Sequence, residues 1–372
     1  MAIYYTSALV PDNTTGTVNN VNLPYSIEKV LGPGSPVVNG DIIAIKADDV
    51  YTPPAGLYTT AEYTTVLPVD AAGAPINTRA QISGVDMPAA TNILSANTTN
   101  LTLLGLSLFN SKGSGLVWGQ SINDQLFIIG CDFYNNTSSG IGFQSTSRYM
   151  TVIAYCRAWN NRGAGLTGFA APNRCGTQFY RCAAWNNAGG DNISSADTYV
   201  SMQGSIVECA TYGASRGINF VGGMPVVNCV SIGTDNATNG ISTVSGSAGF
   251  PGTTCFINNI SSNRTGAAYS VIVEGGGTGI IYSQGNTQFA TGANVGVVLA
   301  SSPIATVDSK PYNKNAADLR PTMDISSYAA TWRAVAGEPV WEWPGPYDFL
   351  TAGLPEVAFL LWGTPIGLST IR

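Results

Sequence analysis

Three stretches of this chain, CDFYNN at 131–136, CRAWNN at 156–161 and CAAWNN at 182–187, are versions of one phrase, with cysteines 25 and then 26 residues apart. Repetition at a near-constant interval restricts a chain more than composition does, because each unit must be a copy of one small structure stacked on the next. The series continues when the phrase is loosened. Cys209 follows 27 residues later, Cys229 after 20 more and Cys255 after a further 26, while Leu106 in LSLFNS stands 25 before Cys131. A second marker keeps step, a small residue followed by Ile or Leu: Gly115-Leu116, Gly140-Ile141, Gly165-Leu166, Asn192-Ile193, Gly217-Ile218 and Gly240-Ile241. It trails the first by 9 to 12 residues, so each unit is expected to carry two short apolar strands separated by a polar turn.

A unit of about 25 residues, rich in Gly, Asn, Ser and Thr and without helical periodicity, fits one coil of a parallel β-helix. Equivalent positions in successive coils then lie about 4.8 Å apart. Cys131, Cys156, Cys182, Cys209, Cys229 and Cys255 become a ladder of compact apolar side chains inside the coils. The Asn-Asn steps become turns that accept left-handed backbone and bond neighbouring coils. The same register sets Asp132 beside Arg157 and Arg181 beside Glu208, as solvated cross-coil ion pairs. Tyr134, Trp159, Trp185 and Tyr212 each stand three residues after a ladder cysteine, which aligns them in one outward row. Such a row is either a platform for sugar rings or a self-stacked ladder.

Charged residues are only 10% of the chain, the net charge is −6 and histidine is absent. Nucleic-acid binding, which needs a basic stripe, is therefore not expected. The five lysines, Lys29, Lys46, Lys112, Lys310 and Lys314, all fall outside 113–309, so the body of the rod is nearly neutral. The opening MAIYYTSALVP lacks the basic start and long apolar core of a signal peptide, and VAFLLW at 357–362 is too short to span a bilayer. Synthesis in a cytosol without membrane insertion is the expectation. The seven cysteines are odd in number, and side chains stacked in parallel have the wrong dihedral for a disulfide, so free thiols are expected.

Three regions are distinguished. Residues 1–75 precede the clear repeats and hold an amphipathic stretch at 25–31 that suits a short helix, then GDIIAIKADDVYTPPAG at 40–56, whose Ile43 and Ile45 alternate as a strand does. A rod of coils has open ends that need atypical caps, and this helix and strand suit that role. Residues 76–300 form the rod, of about nine coils. From 301 to 372 the repeats stop, and Trp332, Trp341, Trp343 and Trp362 stand among prolines, a density of aromatic surface expected at an assembly or attachment interface.

GDIIAIKADDVYTPP, NLTLLGLSLFNSKGSGL and the repeated Cys-x-Phe/Ala-aromatic-Asn-Asn phrase together resemble the right-handed parallel β-helix superfamily typified by pectate lyases, over about residues 38–300. Asp49 stands where members of that family usually have a glycine. The resemblance implies an all-β, right-handed parallel β-helix with an N-terminal cap and a non-repeat C-terminal segment. It also opens several functions, from polysaccharide lyases, glycoside hydrolases and epimerases to bacteriophage tailspike, fibre and head-decoration proteins. The polygalacturonase branch, which uses an essential histidine, is excluded. Lyases of the pectate type hold calcium with clustered carboxylates and use Arg or Lys as base. Here Asp132 and Glu208 stand three coils apart, roughly 14 Å along the axis, against about 5–9.5 Å for a glycosidase pair. Asp124, Asp191 and Asp197 could join a site through loops, and the oxygen-rich turn Asp235–Gly240 has no EF-hand spacing.

No catalytic residue, metal site or cofactor is assigned on this basis. The favoured expectation is a virion structural protein, a decoration or fibre on a bacteriophage head or tail. Its expected partners are other virion proteins, further copies of itself and a host surface glycan met by Tyr134, Trp159, Trp185 and Tyr212. The alternatives are a polysaccharide lyase or glycoside hydrolase of the tailspike-depolymerase kind, and a glycan-binding module without chemistry.

Overall fold

The structure, a computed structural model, describes residues 1–309 apart from positions 13, 97 and 99 and short segments, chiefly 119–123, 144–148, 163–165, 169–175, 188–190, 196–204, 213–215, 222–224, 233–238, 245–251, 264–266, 273–278, 291–296 and 300–304, with 228, 258–259 and 285–286. Side chains are described as far as Ser231. The chain winds through three sheets in fixed order, one strand in each per complete coil. Sheet A has twelve strands, from Ile3–Thr6 to Ala305–Ser309. Sheet B runs from Val50–Tyr51 to Thr287–Ala290 and sheet C from Leu57–Thr59 to Val297–Leu299, with ten strands each. Neighbouring strands within a sheet are parallel and come from successive coils. The fold is a parallel β-helix, right-handed as crossovers between twisted parallel strands are.

Each coil thus carries three strands where residue spacing suggested two. The additional strand belongs to sheet A. Its apolar residues, Leu126–Ile129 for example, run through one left-handed residue, Gly130 (φ 67°), straight into Cys131, with no polar turn to mark the boundary. The winding is also longer than nine coils. The strand Ile42–Lys46, expected in a cap, is already the second strand of sheet A, and a sheet A strand stands at 305–309, beyond the point where the sequence repeats stop. The cap is built from earlier residues. The segment ending at Tyr25 covers the free edge of Ile3–Thr6, with the Tyr25 N–H donating to Tyr5 O at 2.8 Å and the Ser7 N–H to Tyr25 O at 3.2 Å. The short helix Ile27–Val30 closes the end of the core with Ile27, Val30 and Leu31 buried.

Inside the coils, like stacks on like. Ile43, Val66, Leu103, Ile128, Ile153, Phe179, Ile206 and Val226 form one inward column of sheet A, none more than 1% exposed. The second sequence marker keeps register in sheet C, Leu116, Ile141, Leu166, Ile193, Ile218 and Ile241 pairing in that order, preceded by Leu57 and Leu94; of these Leu57, Leu94, Leu116, Ile141, Ile193 and Ile218 are buried. Each such side chain stabilises the fold by about 1.5–3 kcal/mol on burial. Sheet A is apolar on its outer face too: Ala44, Leu67, Leu104, Ile129, Ala154, Tyr180 and Val207 lie in register there and are buried.

The corner between sheets A and B explains the recurrent cysteine. Cys131, Cys156, Cys182, Cys209 and Cys229 are free, fully buried and in register. Their sulfurs do more than fill space. The Cys131 N–H donates to Cys156 Sγ, the Cys182 N–H to Cys209 Sγ and the Cys209 N–H to Cys229 Sγ, each at 3.4 Å. The thiols in turn donate to nearby carbonyls, Cys156 Sγ to Ile128 O at 3.3 Å and Cys182 Sγ to Ile153 O at 3.2 Å. Cysteine here is an apolar side chain that also satisfies a buried backbone N–H at a bend, which alanine cannot do. Cys255 is not part of the ladder. It lies within a sheet A strand opposite Pro225, and the sheet B strand of its coil begins at Ile260, opposite Val230. The interval of 26 from Cys229 is coincidental.

The Asn-Asn step divides its labour. The first residue of each, Asn135, Asn160 and Asn186, takes a left-handed conformation with φ between 52° and 54°. The second is buried and links coils: Asn136 Nδ2 donates to Asn161 Oδ1 at 2.9 Å and Asn161 Nδ2 to Asn187 Oδ1 at 3.0 Å. Asn187 Nδ2 then donates to Asn192 Oδ1 at 2.8 Å, which accounts for asparagine in place of the usual marker glycine at position 192.

Candidate functional site

The outer face of sheet B gathers the residues singled out by the spacing. In the strands Asp132–Tyr134, Arg157–Trp159 and Ala183–Trp185 the middle residues Phe133, Ala158 and Ala184 point inward and are fully buried, so the first and third face outward. Tyr134 pairs with Trp159, Trp159 with Trp185 and Trp185 with Tyr212, as expected from their offset. The rings stack. Tyr134 and Trp159 lie 4.3 Å apart at 6°, and Trp159 and Trp185 lie 4.9 Å apart at 1°. Phe109 extends the stack at 4.7 Å and 4° from Tyr134. It was missed, although it stands three residues after Leu106, the same offset. Since each ring covers the faces of its neighbours, the row presents ring edges outward. Phe109, Tyr134 and Trp159 are half-buried, Trp185 is only 2% exposed, and the Tyr212 side chain lies outside the described residues.

Two positions before the rings, on the same face, lie the charges. Arg157 donates Nε to Asp132 Oδ1 at 2.8 Å and Nη2 to Oδ2 at 2.6 Å. Asp132 is buried, so this is not the solvated pair expected from the spacing. Arg79, two coils away, adds a contact, its Nε 3.3 Å from Asp132 Oδ2 and donating to Gly130 O at 2.6 Å. The register places Gly105 in the coil between, where no side chain blocks the arginine. Arg79 gave no sequence signal because it precedes the first marker of the series. Burial lowers the pKa of its guanidinium against the pull of Asp132. Burial, then Asp132, raises the pKa of Tyr134. The Arg157 guanidinium also lies 5.6 Å from the Trp159 ring centre, so charges and rings form one surface.

Beside this face runs the A/B corner, where Gly105, Gly130, Tyr155, Arg181 and Glu208 all have φ between 49° and 67°. Glycine takes that conformation freely, whereas other residues do so at about 1–2 kcal/mol each. Three successive large residues there bring their side chains together. Arg181 donates Nε to Glu208 Oε2 at 2.6 Å and Nη1 to Tyr155 OH at 3.3 Å, and lies over the rings of Tyr180 and Tyr155 at 5.1 and 5.8 Å. Burial, then the charge of Glu208, pushes Tyr180 up to about 12.

Asp132 and Glu208 remain three coils apart, each held by arginine. Asp124 stands opposite Tyr149, and Asp191 opposite Arg216 of the next coil. Asp197, most of the turn at 235–240, Trp332, Trp341, Trp343 and Trp362 lie outside the described residues. Among the described residues no three His, Cys, Asp or Glu side chains come together as metal ligands.

No family model and no curated protein matches the chain. Among solved structures it is similar to pectate lyase Pel9A, at 13% identity and a TM-score of 0.49 over 82% of this chain and 81% of that one. It is also similar to an alginate lyase from Paenibacillus sp. str. FPU-7, at 11% identity and 0.49 over 72% and 95% of the two chains. A rhamnogalacturonan lyase aligns at 15% identity and 0.44 over 75% and 74%. No residue role is carried over from them.

Proposed function

We propose that the chain is a structural rod, a decoration or fibre subunit of a bacteriophage particle, which contacts a surface glycan through the outer face of sheet B. The observation that carries this reading is the engagement of Asp132. Both of its oxygens accept from Arg157, and Arg79 joins them, so the carboxylate at the centre of the face binds coils together instead of standing open to a substrate. The low charge and the Asn/Ser/Thr-rich composition agree with a long-lived surface component. The Trp-rich segment 325–372 is proposed as the assembly interface, so that its removal yields a monomeric rod that no longer joins particles.

Antibody labelling of purified particles under negative stain tests the location, and unlabelled particles would reject it. Glycan contact is tested by pull-down on host-cell polysaccharide, where Trp159→Ala is expected to weaken retention. The second reading, a polysaccharide lyase or hydrolase, draws on the same face, where two arginines 18–19% exposed lie beside half-buried rings. Release of new reducing or unsaturated ends from that polysaccharide, lost in Arg157→Lys with folding intact, would replace the structural reading with the enzymatic one.

A further inference from the structure

We infer that Arg181 and Glu208, at the corner between sheets A and B, form a binding site for a neutral saccharide bearing a vicinal diol. The inference rests on the carbohydrate reading above and adds, beside the ring row, a second point of contact at the corner.

The two ion pairs of the rod are built differently. Arg157 and Asp132 meet through two parallel bonds, with Asp132 buried. Arg181 and Glu208 meet through one, Nε to Oε2 at 2.6 Å, with side chains 37% and 27% exposed. Arg181 Nη1 is turned to Tyr155 OH. Neither Arg181 Nη2 nor Glu208 Oε1 has a hydrogen-bond partner among the described residues, so one donor and one acceptor of this partly exposed pair are left over. That arrangement matches two neighbouring hydroxyls, one donating to Oε1 while the other accepts from Nη2. A uronate is disfavoured, because Glu208 repels a carboxylate and already offsets the charge of Arg181. The pair is firmly anchored, since Arg181 rests on the rings of Tyr155 and Tyr180, which are buried. The backbone at Tyr155, Arg181 and Glu208 is held in the left-handed region that the two preceding coils reach with Gly105 and Gly130. A strained conformation kept for large side chains is a recurrent mark of binding sites.

The test is a titration of the full chain followed by nitrogen–proton NMR, reading the Arg181 Nε–H, assigned by its loss in Arg181→Lys, alongside the indole N–H signals. The probes are methyl mannoside, its fully O-methylated derivative and methyl galacturonide. The expected result is a saturable shift of the Arg181 signal with methyl mannoside, none with the O-methylated sugar and about tenfold weaker binding of the galacturonide. Glu208→Gln, with the remaining signals unchanged, should abolish the response. A shift of the indole signals alone would overturn the corner site and leave the ring row as the point of contact. Equal response to the O-methylated sugar, or no response of either set, would also overturn it; the polysaccharide pull-down then decides the carbohydrate reading separately.

Discussion

Asp132 and Arg157, 25 residues apart in the chain, are joined by two parallel hydrogen bonds of 2.8 and 2.6 Å across one coil step. Geometry of this kind uses the fork of the guanidinium fully and leaves neither carboxylate oxygen in need of water. Its energetic weight follows from burial more than from charge.

Arg157→Ala should destabilise the rod by about 3 kcal/mol, because it strips a buried carboxylate of its main partner. Arg181→Ala, at an exposed pair, should cost less than about 1 kcal/mol. Urea denaturation of both variants compares them directly, and equal costs would contradict the burial argument.

The cysteine ladder gives a second expectation. Burial pushes the thiols of Cys156 and Cys209 up and withholds them from reagents, so a maleimide should label the five described cysteines only after denaturation. Cys156→Ala leaves the Cys131 N–H without its acceptor and should cost about 1–3 kcal/mol. Rapid labelling in the native state, read by intact mass, would refute the inward register.

The paired asparagines should respond oppositely. Asn160 has φ 53° and is exposed, so Asn160→Gly should change stability by less than about 1 kcal/mol. Asn161 Nδ2 donates to Phe133 O at 2.9 Å and to Asn187 Oδ1 at 3.0 Å. Asn161→Asp sets an acceptor against both and should cost about 3 kcal/mol or more. Thermal denaturation ranks the two variants, and a reversed order would be decisive against this division of roles.

High pH should weaken the fold. Burial holds Tyr180 at about 12 in place of 10.0, and burial drives Tyr51 upward as well. Above pH 10 the unfolded chain therefore releases tyrosine protons that the native chain retains. The unfolded state binds fewer protons, so stability is full below pH 10 and declines as the pH rises through about 12. Urea midpoints across this range, with Tyr180→Phe expected to flatten part of the decline, check the sign.

The ring row, the Asp132–Arg157 and Arg181–Glu208 neighbours and the sheet C marker were legible in the spacing, because parallel coils of nearly equal length put equal offsets side by side. Phe109 was equally legible and overlooked. Arg79 was not, since its reach across two coils depends on a side-chain path over Gly105 that no spacing encodes. Residue counting failed in another way at Cys255. Coil lengths vary, with 20 residues from Cys209 to Cys229, 27 from Cys182 to Cys209 and 30 from Val230 to its partner Ile260, so an interval of the right size need not mark the same corner.

The sequence by itself determined that this protein is a stack of coils, that the cysteines from Cys131 to Cys229 recur at one corner and the Ile and Leu markers along one strand, and which polar residues turn the chain, because a repeated pattern of apolar and turn residues has few other solutions. Only the tertiary structure decided that each coil has three strands, that Asp132 is buried and held from two sides, and that the cysteine sulfurs accept backbone N–H groups. These outcomes depend on where bends close and on what covers the outer faces, and such distances are set by packing in three dimensions.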